Sequence, residues 1–334
     1  MNVQNYDLSV VIISRNEEKN IANCIESVLK ATEDIDVCEI VLVDSASTDK
    51  TVEIATKYPI KIFQLDPSFP LSPAAGYYIG FLNTKGRYVQ FQCGDSILNV
   101  NWFKIALPIL KNKKKLAGIV GMVIQEPYDT RIAKKYAKYH NNLPIGEIQW
   151  FAADSLFKRD VLLEVGTFNP YLLAGEEGEL SYRVIDSGYK LLRLPDQMSH
   201  HLGGEKENYL SIIKKKLRYT KAQGQILRYS TSSKLIFLRR LKEYKFKLIS
   251  IFLILFGLFS INLFLLYNTL LPLYILIGGI IFYFGWIFYY TRNLKETIFY
   301  SITQALRSIP FILGFLQPKK NPETYPTDVK IIKY

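Results

Sequence analysis

The sequence predicts an α/β domain with a mostly parallel central sheet, followed by C-terminal membrane helices. Three observations carry that expectation. Apolar, largely β-branched runs alternate with amphipathic stretches over about the first two hundred residues, the change of period that βαβ units require. Two later runs, Leu248 to Tyr267 and Leu270 to Tyr290, hold about twenty residues each without a charged side chain. That is enough to cross a hydrocarbon core of about 30 Å. Finally, an acidic turn, Cys93-Gly94-Asp95, follows the hydrophobic strand Tyr88 to Phe91. A carboxylate at the carboxyl end of such a strand points into the crevice where open α/β sheets bind ligands.

The elements follow in order. Leu8 to Ser14 is a continuous strand-forming run, after which Asn16 is expected to cap a helix with Glu17 and Glu18 in its first turn, favourable at the positive end of the dipole. That helix carries Ile21, Cys24, Ile25, Val28 and Leu29 on one face. Glu39 to Val43 reads as the next buried strand, Asp49 as the cap of a helix to about Lys57, and Ile60 to Leu65 as a third strand. Pro67, Pro70 and Pro73 break the chain before a helix near Ala74 to Asn83, and Gly86 leads into the strand that ends at the acidic turn. Trp102 to Leu110 reads as helix, Lys111 to Lys115 as a solvated turn and Ala117 to Ile124 as strand. Tyr128 to Asn142 mixes aromatic and basic residues. It either borders an acceptor groove or packs as an amphipathic helix.

The formal charge of +12 has a particular placement. Basic residues crowd between Lys206 and Lys247, beside the apolar runs, where anionic headgroups attract each one by about 1 kcal/mol. The partner expected from this is membrane lipid and not nucleic acid. Leu210, Ile213, Leu217, Gly224 and Leu227 share a helical face, as in a helix lying in the interface. Lys234, Arg239, Arg240, Lys242, Lys245 and Lys247 precede the first span, and Arg292, Lys295, Lys319 and Lys320 follow the second, while Tyr267-Asn268-Thr269 between them is uncharged. The positive-inside rule then predicts a two-span protein of the cell membrane with its large domain and C-terminus cytoplasmic. Leu8 to Ile13 is too short for a secretory signal. Ile298, Ile302, Leu306, Ile309 and Leu313 form a second interfacial face, and Gln304, Arg307 and Pro310 argue against a third crossing. The expected division is 1–205 for the α/β domain, 206–246 for a basic helical linker, 247–291 for spans at 248–267 and 270–290, and 292–334 for an interfacial helix and tail. Cys24, Cys38 and Cys93 lack metal-ligand spacing, as in a reducing compartment.

Four segments converge on one pocket: Ser14-Arg15-Asn16-Glu17, Asp44-Ser45-Ala46-Ser47-Thr48-Asp49, Cys93-Gly94-Asp95 and Glu176-Glu177-Gly178-Glu179-Leu180. In these segments the chain resembles the family 2 glycosyltransferases, inverting enzymes whose GT-A fold is a Rossmann-like nucleotide-diphospho-sugar transferase domain. The resemblance covers about Leu8 to His201. It implies that Ser14 and Glu17 border the nucleotide and that Asp44 accepts a hydrogen bond from the base, most often uracil, whose imide N–H a carboxylate can read. It places Cys93-Gly94-Asp95 on the family's Asp-x-Asp, so Asp95 becomes the ligand of Mn2+ or Mg2+ and Cys93 and Gly94 face the sugar; a thiol is a poor ligand for either ion. His201 or His200 matches the closing His that ligates the metal or touches the diphosphate, and adjacent strand residues point apart, which favours one of them, His201. Glu177 falls at the general base that removes the acceptor proton during inversion, with Glu176 and Arg183 on the sugar and acceptor side.

Two departures stand out: Cys93 replaces the first Asp, and Tyr77 replaces the Arg of the family's Ala-Arg-Asn-x-Gly helix start. The activity implied is hexosyl or N-acetylhexosaminyl transfer from a nucleotide-diphosphate donor, a UDP-sugar, to a lipid-linked or other glycan acceptor at the membrane. The Asp-Ala-Asp-Leu-Gln string of polyprenyl-phosphate sugar synthases is absent. The competing reading is a catalytically silent relative that binds sugar, nucleotide or a partner enzyme, supported by the same two departures.

Overall fold

The computed structural model describes residues 6–125, 142–151, 154–202 and 209–334. The two readings of the insert from Tyr128 therefore lie, up to Asn142, outside the described residues, as does the start of the basic linker. Two compact units emerge: Met1–Ile212 together with Lys320–Tyr334, and Ile213–Lys319.

The first unit is built on one sheet. Strands β1 (Leu8–Ser14), β2 (Cys38–Asp44), β3 (Lys61–Gln64) and β4 (Tyr88–Cys93) pair in the order β3-β2-β1-β4, all parallel. Beyond β4 come β8 (Ser155–Lys158), β6 (Leu116–Gln125), β9 (Lys190–His201) and β5 (Ser96–Leu98), with β7 (Gly146–Ile148) also on β9. Among the described residues six strands run one way, and β5, β7, β8 and the last strand, β10 (Lys330–Lys333), run against them. β1 is buried along almost its whole length, as a central parallel strand covered on both faces must be. Helices α1 (Ile21–Ala31) and α3 (Pro73–Leu82) bury Ile21, Cys24, Ile25 and Val28 on one side and Ala74, Tyr77 and Phe81 on the other. The Ser72 hydroxyl caps α3 by accepting from Ala75 N–H at 3.2 Å, as a Ser before Pro at the first helical position should.

The strand order turns at β1, with β2 on one flank and β4 on the other. The register pairs Ser14 with Asp44 and Ile13 with Cys93, so three of the motifs end side by side at this switch point. Two local expectations are corrected. Asn16 is not a helix cap: it sits at φ +57° and its side chain accepts from Thr48 N–H at 2.9 Å, while α1 begins only at Ile21. Asp49 does stabilise the start of α2 (Thr51–Ala55), accepting from Thr51 N–H at 3.0 Å, but it also takes Glu18 N–H at 3.1 Å. The two loops are thereby laced together.

The tail holds the largest departure from the sequence reading of 292–334. β10 adds antiparallel to β3 at the sheet edge, pairing Lys330 with Gln64 and Ile331 with Phe63. Tyr325 is 3% exposed, stands edge-on to Tyr78 and Tyr171 and donates its hydroxyl to Pro70 O at 3.0 Å.

The second unit is helical. It contains α7 (Tyr209–Ser230), described by itself from Ile213 onward, α8 (Lys234–Glu243), α9 (Lys245–Tyr267), α10 (Leu271–Thr291), α11 (Leu294–Leu306) and α12 (Ser308–Leu316). Three stretches are long and apolar enough to cross a membrane: α9, α10 and the broken run Leu294–Leu316. The third is the least apolar, and it is interrupted at Arg307. Within the α9–α10 pair, Tyr283 Oη bonds Ser250 Oγ at 2.6 Å and Phe246 O at 3.0 Å, so these polar groups are satisfied internally, as lipid demands. Where α9 begins and α10 ends, Lys245 Nζ stands 5.0 to 5.2 Å from the rings of Phe246, Trp286 and Tyr290, an arrangement typical of the membrane interface. Gly224 is needed for contact: a Cβ there would lie 2.0 Å from Phe311 O, so α7 and α12 cross backbone to backbone.

Candidate active site

The acidic turn leaves β4 directly over the end of β1. Gly94 N–H bonds Ile13 O at 2.8 Å, and a Cβ at Gly94 would approach the same oxygen to 2.9 Å. Gly94 is therefore the spacer that lets the turn lie on β1. Asp95 then projects beside β9. Its carboxylate meets His201 Nε2 at 3.2 Å, with both side chains about one quarter exposed. The strand pairing Ser96 with His201 and the bond from Leu202 N–H to Asp95 O at 2.8 Å fix that approach. His200, the next residue on the strand, pairs with Ile97 and Ile124 in the sheet, while the imidazole facing Asp95 is that of His201.

Donor atoms of Cys93, Asp95 and His201 lie within 4.8 Å of one another. A carboxylate oxygen and an imidazole nitrogen suit Mn2+, and Mg2+ accepts the oxygen; the thiol suits neither. Burial, followed by the charges of Asp154, Asp95 and Glu177, pushes the Cys93 thiol well above its usual range, so it stays protonated beside the pair. Its sulfur lies 3.3 Å from Tyr77 Oη. Tyr77 is fully buried, edge-on to Phe91 at 5.2 Å and packed on Phe168 at 4.9 Å. The two departures from the family pattern thus touch each other: a neutral Tyr–Cys pair stands where the motifs would place Arg and Asp.

Glu177 opens α6 (Glu176–Asp186) behind Gly175 at φ +75°. Its charge acts on both Cys93 and Tyr77, so the start of this helix lies in the neighbourhood of the acidic turn. Burial raises its own pKa. Glu176 is the more buried by surface area, at 3% exposure, while Glu177 is part-exposed. Arg183 is committed elsewhere, contrary to an acceptor-side role. Its Nε and Nη2 hold Glu179, Nη1 donates to Val165 O and Gly166 O, and Nη2 to Thr167 O. All five donors of a guanidinium are used, and they tie α6 to the preceding turn.

On the other flank, Asp44 is 0% exposed and its carboxylate accepts from Ser47 N–H at 2.8 Å, Gln64 Nε2 at 3.0 Å, Ser14 Oγ at 3.3 Å and Ser47 Oγ. These four donors match the roughly four lone-pair positions of a carboxylate. Asp44 orders the loop, and Ser14 is one of its donors; a base N–H must compete with Gln64 to reach it. The Glu17 carboxylate accepts from Asn20 Nδ2 at 2.9 Å, and burial, with Asp95 adding to it and the Asn20 hydrogen bond and His201 opposing, lifts its pKa from 4.5 to about 7. An acid raised on folding contributes stability below its unfolded value and loses it as pH rises through the folded one. In chelator, Glu17→Gln is therefore expected to gain melting temperature relative to wild type between pH 4.5 and 8. After allowance for solvent screening the gain is worth about 1–2 kcal/mol; thermal unfolding at stepped pH checks it.

One buried residue that holds the turn has no role assigned to it by the sequence. Asp154, 2% exposed, accepts from Cys93 N–H; no periodicity or spacing marks it, because its partners are remote in sequence.

The sheet with three motifs ending at its switch point and the Asp95–His201 pair beside them agree with the class that the comparisons give, a glycosyltransferase domain of GT-A fold. The model of the Glycosyl transferase family 2 matches residues 9–169, so this stretch carries a domain of that family. It is similar to a dolichyl N-acetyl-alpha-D-glucosaminyl phosphate 3-beta-D-2,3-diacetamido-2,3-dideoxy-beta-D-glucuronosyltransferase of Methanococcus voltae, 24% identical over 241 residues, covering 66% of this chain and 74% of that protein. Glycosyltransferase AglE of Haloferax volcanii is 25% identical over 228 residues, covering 66% and 73%. Among solved structures, the mannosyltransferase PcManGT of Pyrobaculum calidifontis, determined with GDP-Man and Mn2+, shares the fold at a TM-score of 0.55 and 15% identity, over 91% of this chain and 87% of that one.

Proposed function

We propose that this glycosyltransferase moves a sugar, with inversion, from a nucleotide-diphosphate donor to a lipid-linked glycan held at the membrane. The observation that carries the reading is the contact of Asp95 with His201 at 3.2 Å, with Glu177 near enough for its charge to act on Cys93. Glu177 is the base: its carboxylate takes the acceptor hydroxyl proton as that oxygen attacks the anomeric carbon, and the bond to the diphosphate breaks with its electron pair leaving on phosphate oxygen. A raised pKa suits a base that works near neutrality. Asp95 and His201 would hold an Mn2+ or Mg2+ ion, which would supply neutralising charge to the diphosphate. Ser14 and Glu17 border the nucleotide. A UDP-sugar is the donor tested first, with GDP-sugars beside it, since the Asp44 oxygens already have protein donors. The acceptor class agrees with the name of the Methanococcus voltae relative, and holding such an acceptor at a membrane raises its effective concentration.

Two crossings are favoured by the tail. Residues 1–212 and 320–334 belong to one unit, joined by the β10–β3 pairing, so the chain between them crosses an even number of times. Of the three candidate stretches, α9 and α10 form the hairpin and Leu294–Leu316 stays at the interface, with the catalytic unit and C-terminus cytoplasmic by the charge rule. Tags at the two termini are expected to be digested together in inside-out vesicles and both protected in right-side-out ones; opposite protection would overturn the two-span reading.

The function itself is tested by turnover of UDP- and GDP-sugars with a membrane lipid extract, with Mn2+ and with chelator, in wild type and Asp95→Ala. Cation-dependent transfer lost in the variant is expected. No turnover with any donor would leave a catalytically silent binding protein.

A further inference from the structure

The group that holds the acidic turn in place comes from the segment between β7 and β8. Asp154 accepts three hydrogen bonds: from Cys93 N–H at 2.9 Å, Ser96 Oγ at 2.8 Å and Ser199 Oγ at 2.6 Å. Cys93 stands two residues before Asp95 at the end of β4, and Ser199 two residues before His201 on β9. One buried carboxylate therefore grips both strands that present the Asp95–His201 pair, as well as the first residue of β5 between them. An ionised carboxylate only accepts, so both hydroxyls and the amide must point their protons at it, and the three partners are held in one geometry. Ser96 Oγ also lies 3.1 Å from Cys93 O, a second acceptor within reach of the one proton it directs at Asp154. The negative charge beneath the turn further favours a cation above it. The carboxylate that position 93 lacks relative to Asp-x-Asp is thus present one layer deeper.

We propose that Asp154 is the positioning residue of the cation site: by joining Cys93 N–H to Ser199 Oγ it sets the approach of Asp95 to His201 and with it the affinity for a divalent ion. This rests on Asp95 and His201 being the ligands. The test is Mn2+ titration of the full-length protein in detergent, followed by the loss of the free-ion electron paramagnetic resonance signal, with melting temperatures in chelator to establish folding. Asp154→Asn keeps the shape and removes the charge; Ser199→Ala removes one small hydroxyl and serves where the first variant fails to fold. Asp154→Asn is expected to weaken Mn2+ binding by roughly tenfold or more, in line with groups that orient metal ligands, and Ser199→Ala to weaken it by a smaller factor, while Asp95→Ala abolishes it. Wild-type affinity in folded Asp154→Asn or Ser199→Ala, with binding lost in Asp95→Ala, overturns the role of Asp154 alone. Equal affinity in wild type and Asp95→Ala overturns the ligand assignment and this role together.

Discussion

Glu177→Gln is expected to lower kcat by about 10²- to 10⁴-fold, the usual contribution of a positioned base, and to leave the protein no less stable. The two halves of that outcome have separate causes. Glutamine keeps the length and shape of the side chain, but its amide cannot take a proton from an attacking hydroxyl. Glu177 holds no part of the donor in the proposed geometry, so kcat and kcat/KM fall together while the donor KM stays. On the stability side, burial raises the pKa of Glu177, which means that its ionised form is held at a cost in the folded state. Losing one of three acids at the start of α6 forfeits about 0.3–1 kcal/mol of dipole interaction, while removing the buried charge acts in the opposite direction. The melting temperature should therefore hold or rise as turnover collapses, the pattern of a residue kept for function against stability. Steady-state kinetics and thermal unfolding on the same preparation check it; a fall in melting temperature with turnover preserved would make Glu177 an ordinary helix-start acid.

What the sequence could and could not reveal divides along a physical line. β1 and β2 are legible because a strand covered on both faces is apolar in its middle, as Val10–Ile13 and Ile40–Val43 are. The convergence of Ser14, Asp44 and Asp95 is legible for the same reason, since parallel strands align their carboxyl ends. Asn16 misled because an Asn before two acids reads as a cap, whereas here its left-handed backbone turns the chain and frees its side chain for Thr48. β10 is four residues long and pairs only at an edge; so short a segment carries no period. Arg183 sits where motif matching implies substrate, yet the carbonyls of Val165 to Thr167 claim its donors, and a carbonyl's direction is a property of the folded turn. Asp154 is the extreme case, because its partners lie 45 to 61 positions away along the chain.

Cys93→Asp, which rewrites the turn as the family's Asp-x-Asp, is expected to destabilise the protein in chelator and to enlarge its stabilisation by Mn2+. Position 93 already lies among Asp154, Asp95 and Glu177, whose charges oppose ionisation there. A fourth carboxylate at about 5 Å from a neighbour costs up to about 3 kcal/mol at an effective dielectric of 20, and protonation caps the loss. About 1–3 kcal/mol, or a fall of roughly 3–10 °C for a domain of this size, is the expected result. Mn2+ should then recover more than it gives the wild type, because the new oxygen is a suitable ligand where the thiol is not. Tyr77→Arg alone should be worse, since it drives a cation into the packing of Phe91 and Phe168 without a partner. Tyr77 and Cys93 are in contact at 3.3 Å, so the double variant should lose less than the sum of the two, with a coupling of about 0.5–3 kcal/mol between neighbours. A strictly additive double variant, measured by thermal unfolding with and without Mn2+, would mean that the two departures arose separately. Coupling would mean that a charged pair was exchanged as a unit for a neutral one, with Asp95 and His201 left to meet the cation.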